Sequence, residues 1–159
     1  MENNKTHEDV NPSDIGLQTE INKELVKKEG ADILNRVELA VNNGRVVAIG
    51  YMENESQCKE VVSLIEKVDG VRKVFNNVKV GKKPECKTTD TIITGKVKAY
   101  LFTPLNGIRG RNFSVTTVDG KVYIVGEAES KVEERKVLDF ANSVQGVKEV
   151  CSYINSPEQ

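Results

Sequence analysis

Between Asn112 and Ile154 the apolar residues change period twice. Phe113, Val115 and Thr117 alternate with polar neighbours, Asp119-Gly120 interrupts, and the strand-forming run Lys121 to Val125 follows. Asp-Gly between two such runs predicts a hairpin, because a type I′ turn needs positive φ at both central residues. Val137, Leu138, Ala141 and Val144 then share one helical face. Ser130 and Glu133 ahead of them have capping-box spacing. Gly146 is placed to stop that helix at a left-handed C′ position. A last strand follows, with Val150 and Ile154 pointing one way.

The same pattern runs from Arg36 to Val78. Gly44, Gly50 and Gly70 precede Gly120, Gly126 and Gly146 by 76 positions each, without a gap. Val46, Val61, Val68, Val71 and Val74 recur in the same register as Val122, Val137, Val144, Val147 and Val150. Asn43-Gly44 repeats the hairpin signal, and Asn54 with Gln57 repeats the cap in weaker form. Coincidence of turn glycines and apolar positions identifies a duplicated structural unit, and two copies are too few for a solenoid. Leu17, Ile21 and Leu25 extend the register backwards onto Ile93, Val97 and Leu101, so each copy begins with a helix. Ser13 or Asp14 is the expected N-cap of the first of these helices, and Asp90 that of the second.

The predicted fold is therefore α+β, two tandem αββαβ units with two helices packed on a three-stranded mixed sheet. The boundaries are a disordered polar tail at 1–14, a first unit at 15–80, a linker at 81–89, a second unit at 90–155 and a tail at 156–159. Gly81 and Pro84 break regular structure in the linker, and Lys82, Lys83 and Lys87 keep it solvated. Val46 to Ile49 and Val122 to Val125 are apolar at successive positions. Strands of that kind need cover on both faces.

Charge changes the picture by its distribution. The net charge is −1, yet residues 1–71 carry −6, residues 72–121 carry +8 and residues 122–159 carry −3. The basic third contains the second unit's first helix. That helix has Lys96 and Lys98 where the earlier one has Glu20 and Asn22, and it adds Tyr100 and Phe102. The following loop, Thr103 to Arg111, interleaves Leu105 and Ile108 with Arg109 and Arg111.

Several function classes fall away on the same reading. The single histidine, His7, lies in the tail, and no Ser, Cys or carboxylate cluster recurs with catalytic spacing. Cys58, Cys86 and Cys151 share no C-x-x-C spacing and do not correspond between copies, which argues against a disulfide framework and a zinc site. Gly107-Ile-Arg-Gly110 has the G-x-x-G form of a KH loop. A KH loop joins two helices, whereas this one leads into a strand, and no row of aromatic residues offers base stacking. No run approaches the length of a membrane span. Met1 to Asp14 has neither the basic start nor the apolar core of a signal peptide, and is expected to act as a flexible tether.

The repeat resembles the BON domain. The residues carrying the resemblance are the hairpin glycines Gly44 and Gly120, Gly50 and Gly126 at the ends of the second strands, and Gly70-Val71-x-x-Val74 with Gly146-Val147-x-x-Val150. Two copies in tandem, over roughly residues 15 to 154, are similar to the dual-BON outer-membrane lipoproteins of Gram-negative bacteria. That resemblance implies no catalysis, no cofactor or metal, and a place in the periplasm or at the outer membrane. It implies an anionic phospholipid surface as partner; envelope proteins are expected as further partners, and the loop and aromatic pattern above argue against nucleic acid. It places the lipid contact on the second unit's first helix, where the lipoprotein pattern has a bulky aromatic residue at the position of Ile92. The expected lipid-binding residues are Ile92, Lys96, Lys98, Tyr100, Leu105, Ile108, Arg109 and Arg111. The alternative reading is a periplasmic structural or chaperone-like module without lipid specificity, and behind it stands a KH-like nucleic-acid binder.

Overall fold

Asn43 and Gly44 take φ of 52° and 79°, and Asp119 and Gly120 take 55° and 75°. Both central residues of each hairpin are thus left-handed, as a type I′ turn demands. Around these turns the computed structural model, which describes residues 12–103 and 106–157, folds as two units dividing after Pro84.

In the first unit, helix α1 (Pro12–Glu29) leads through a single turn, α2 (Ile33–Arg36), into strands β1 (Val37–Asn42) and β2 (Arg45–Met52). Helix α3 (Glu55–Glu66) and strand β3 (Lys73–Val80) complete it. The second unit has α4 (Lys87–Leu101), a 3₁₀ turn (Gly110–Asn112), β4 (Phe113–Val118), β5 (Lys121–Glu127), α5 (Lys131–Ser143) and β6 (Glu149–Asn155). In each sheet the second strand is central, antiparallel to the first and parallel to the last. The parallel pairing follows from the helical crossover, because a strand returning over a helix re-enters in the same direction.

Each core lies between its sheet and its two longer helices. Ile21, Leu25, Val46, Val61 and Ile65 are fully buried in the first, and Val97, Val122, Ile124, Val137 and Ala141 in the second. The capping boxes form in both units. Asn54 Oδ1 accepts the Gln57 N–H (2.9 Å) while Gln57 Oε1 accepts the Glu53 N–H (3.0 Å). Ser130 Oγ accepts the Glu133 N–H (3.1 Å) while Glu133 Oε1 accepts the Glu129 N–H (2.7 Å).

Three local expectations change. Gly70 and Gly146 have φ of 102° and 97°, but α3 and α5 end several residues earlier, at Glu66 and Ser143. Each glycine is the third residue of a turn closed by Val71 N–H to Val68 O (3.1 Å) or Val147 N–H to Val144 O (3.2 Å). That position needs positive φ in a type II turn, so these glycines steer the chain into the last strand rather than cap the helix. Helices α1 and α4 begin at Pro12 and Lys87, inside the expected tail and linker. Asp14 and Asp90 are consequently first-turn residues, not N-caps, because their carboxylates are engaged elsewhere. Residues 1–11, with His7, lie outside the described residues.

Candidate lipid-binding face of the second unit

Helix α4 is oriented by Ile93, Val97 and Leu101, all buried in the core. At 100° per residue the opposite side carries Ile92, Gly95 and Ala99, with Phe102 at the helix end. Ile92 is 53% exposed and Phe102 43%, and a Cβ added at Gly95 would meet nothing within 4 Å. Lys96 and Lys98 are exposed on the two flanks of this ridge, and neither forms an ion pair among the described residues. The outcome is an apolar ridge bordered by two ammonium groups, the arrangement of a helix that lies along an interface. The Thr94 hydroxyl donates to Thr117 Oγ1 (2.7 Å) and holds the helix against β4. Phe102 is absent from the expected lipid-binding residues, and its counterpart 76 positions earlier is Val26. Val26 does pack against the first core, but Phe102 does not follow it.

In α1 the ridge is missing. Gly16 stands at the position of Ile92, Lys23 at that of Ala99 and Glu20 at that of Lys96. Glu20 is itself paired with Lys23 at 3.5 Å.

The rest of the predicted set divides. Tyr100 stacks on Phe140 of α5, with ring centroids 4.2 Å apart and planes within 4°, so one ring face is used inside the unit. Ile108 is only 9% exposed and belongs to the core cluster, which corrects the expectation that it enters a lipid interface. The reason is Asn106, whose side-chain amide donates to the Tyr100 carbonyl while its Oδ1 accepts the Ile108 N–H (2.9 Å). The loop is thereby folded back on the helix end. Gly110 is buried, and a Cβ there would lie 2.6 Å from the Leu101 carbonyl oxygen and 2.8 Å from the Phe102 ring. That close approach explains the second glycine of the G-x-x-G tetrapeptide as packing. Arg109 Nε is paired with Glu129 Oε2 at 3.0 Å, and its N–H donates to Glu133 Oε2 (3.3 Å). Arg111 is half-buried in the 3₁₀ turn. Leu105 lies outside the described residues.

A second polar arrangement occurs once in each unit, and sequence reasoning misassigned it. The buried Asp90 carboxylate accepts the Asp119 N–H on Oδ2 and the Gly120 N–H on Oδ1, both at 2.8 Å. Asp14 does the same for the first hairpin, accepting the Asn43 N–H on Oδ2 (3.0 Å). Burial pushes the Asp14 carboxyl up from its ordinary value, against the hydrogen bonds from Asn43 and Gly44. Each hairpin carbonyl then receives the last strand's entry, Gly44 O from Arg72 N–H (2.7 Å) and Gly120 O from Lys148 N–H (2.8 Å). The signal was available, since Asp14 and Asp90 stand 76 positions apart. Beside Asp90, the Cys86 thiol donates to Asp119 Oδ1 (3.6 Å), and burial together with that carboxylate pushes it up, away from thiolate chemistry. In the first unit this end opens into a shallow cleft of about 320 Å³ lined by Asp14, Glu20, Asp69 and Arg72 among others. Among the described residues no group of three or more His, Cys, Asp or Glu side chains is placed to hold a metal ion. None of their helices is long and apolar enough to cross a membrane.

Comparison with known proteins accounts for the whole duplicated region. Residues 13–82 and 89–155 each match the BON domain. A protein of Anaplasma centrale named "Uncharacterized protein in gshII 5'region" is 29% identical over 144 residues, which is 89% of this chain and 93% of that one. The Outer membrane lipoprotein DolP of Haemophilus influenzae is 28% identical over 127 residues, 79% of this chain and 62% of that protein. The Osmotically-inducible protein Y of Escherichia coli is 29% identical over 109 residues, 66% of this chain and 54% of that protein. The chain thus spans less than two thirds of the last two relatives. Its two hairpin-centred units, alike in topology and in the aspartate that anchors each turn, are a tandem pair, and the chain belongs to the BON-domain family.

Proposed function

We propose that this chain is a non-catalytic cell-envelope protein that docks on anionic phospholipid through α4 of its second BON domain, supporting outer-membrane integrity from the periplasmic side. The carrying observation is the exposed Ile92 and Phe102 ridge with Lys96 and Lys98 on its flanks. Basic residues near an anionic surface contribute up to about 1 kcal/mol each, which draws the helix in without fixing its pose. Shallow burial of the ridge adds the apolar contribution that fixes which face turns inward. An envelope location is supported by the similarity to an outer membrane lipoprotein. The first domain's equivalent face, with Glu20 for Lys96 and Gly16 for Ile92, would be repelled, so docking is one-sided.

The test is cosedimentation of the full chain with vesicles at low salt. Wild type should bind phosphatidylglycerol-containing vesicles and not zwitterionic ones, and Lys96→Glu with Lys98→Glu should abolish the difference. Equal binding by both proteins, or no preference for anionic vesicles, overturns the reading. A structural module without lipid specificity is the second reading, and the engagement of Tyr100 by Phe140 and of Arg109 by Glu129 favours it. It expects no vesicle binding at all.

A further inference from the structure

Arg109 differs from Lys96 and Lys98 in being ion-paired in the free protein. Its Nε lies 3.0 Å from Glu129 Oε2, and the two side chains are each 56% exposed. Their main chains hang on a common anchor. The Arg109 N–H donates to Glu133 Oε2 and the Glu129 N–H to Glu133 Oε1. Glu133 itself is buried and held by its own N–H to Ser130 Oγ. The guanidinium and the Glu129 carboxylate are therefore kept as neighbours by the backbone, and only their side chains need move to part them. Gly110, next in sequence, packs against Phe102, which puts Arg109 at the Phe102 end of the ridge.

We infer that Glu129 is a specificity-determining residue of this face, occupying Arg109 in the free protein and yielding it to phosphate oxygens only where anionic headgroups are dense. The inference rests on the lipid-docking reading above. An exposed pair of this kind is weakly held, so it does not block exchange. Phosphate can take the guanidinium fork through two parallel hydrogen bonds, and it offers the same kind of acceptor that Glu129 gives up. The released carboxylate is then left beside an anionic surface that repels it. Exchange becomes favourable only above some headgroup density, so the pair sets how dense the headgroups must be before Arg109 engages them.

The experiment titrates the full chain with phosphatidylethanolamine vesicles carrying a rising fraction of phosphatidylglycerol, at low salt. Wild type, E129Q, R109Q and R109Q/E129Q are compared. E129Q should reach half-maximal binding at a lower phosphatidylglycerol fraction and bind about threefold more tightly at a fixed fraction. The double variant should gain less over R109Q than E129Q gains over wild type, because without Arg109 only the repulsion of Glu129 is removed and no ion pair has to be parted. A gain from E129Q of the same size in the R109Q background would show a simple net-charge effect and overturn the assignment. So would the absence of any gain in a wild type that binds through Lys96 and Lys98, which leaves the docking reading standing. Failure of wild type to bind anionic vesicles would overturn both.

Discussion

Asp90 holds Gly120: the carboxylate of a first-turn helical residue accepts the N–H of a hairpin glycine thirty positions later, at 2.8 Å. Its other oxygen takes the Asp119 N–H at the same distance, so one buried side chain satisfies both amides of the type I′ turn. Without it, two donors at the end of the sheet would be left without their acceptor. Asp90→Ala should cost about 2–3 kcal/mol, since hydrogen bonds to charged groups contribute more than neutral ones. Asp90→Asn, which keeps one acceptor oxygen, should cost about half as much on the same ground. Urea unfolding with an unchanged slope checks both, and equal midpoints for the two variants would refute the two-oxygen account.

The glycines divide by cause, and this gives a second test. At Gly146 an added Cβ would have its nearest neighbours at 3.5 Å, so only the positive φ of 97° opposes a side chain. At Gly126 the backbone is ordinary, but a Cβ would collide with the Asn112 carbonyl oxygen and Phe113. Gly146→Ala should therefore cost about 1 kcal/mol, from backbone conformation alone. Gly126→Ala should cost about 2–3 kcal/mol or more, because backbone on a paired strand cannot step aside. Reversal of that order in urea midpoints would contradict the assignment.

Acid should act on the contributions of Asp119 and Asp14 in opposite senses. The Lys148 ammonium donates to Asp119 Oδ1 at 3.0 Å and holds that carboxyl below its ordinary value of 3.8. A lowered folded value means the stabilisation is complete above 3.8 and is lost as pH falls through the lowered one. Burial raises Asp14 instead, so its contribution is complete below 3.8 and is lost as pH rises through the raised value. Lys148→Met should accordingly be destabilised at neutral pH and converge on wild type as the pH is taken well below 3.8. Asp14→Asn should fall furthest behind wild type below 3.8 and recover ground as pH rises. Unfolding midpoints across the acid range decide the matter, and parallel curves for wild type and both variants would remove the effect.

How far the chain was legible depends on which forces act locally. The hairpins were readable because Asn43-Gly44 and Asp119-Gly120 can hardly form any other turn between two strand-forming runs. The capping boxes were readable because the donor and acceptor are three residues apart. Asp14 and Asp90 were misread because an aspartate before an apolar helix is locally an N-cap, whereas their true partners lie about thirty residues downstream. Ile108 was misread for the same reason. A loop with alternating apolar and basic residues looks exposed until Asn106 folds it onto the helix end. The lysine flanks of α4 were legible from charge and spacing. The exposure of Phe102 was not, because it depends on where the helix ends rather than on its period.

The vesicle experiments should also separate charge from insertion at a single residue. Ile92 is 53% exposed on the outer side of α4, so replacing it should leave the fold intact. Ile92→Ser removes apolar surface and no charge. Binding to anionic vesicles should weaken by about one order of magnitude, in line with roughly 1.5 kcal/mol for loss of a buried aliphatic side chain. Its dependence on salt should stay that of wild type, because Lys96 and Lys98 are untouched and it is their attraction that salt screens. Ile92→Trp places a large amphipathic ring at the headgroup level and should tighten binding, again without altering the salt dependence. Lys96→Glu with Lys98→Glu should do the reverse, flattening the salt dependence as it abolishes binding. If instead Ile92→Ser and Ile92→Trp bind like wild type while the lysine variant fails, the helix is held on the surface by charge alone. The apolar ridge would then have to face something other than lipid.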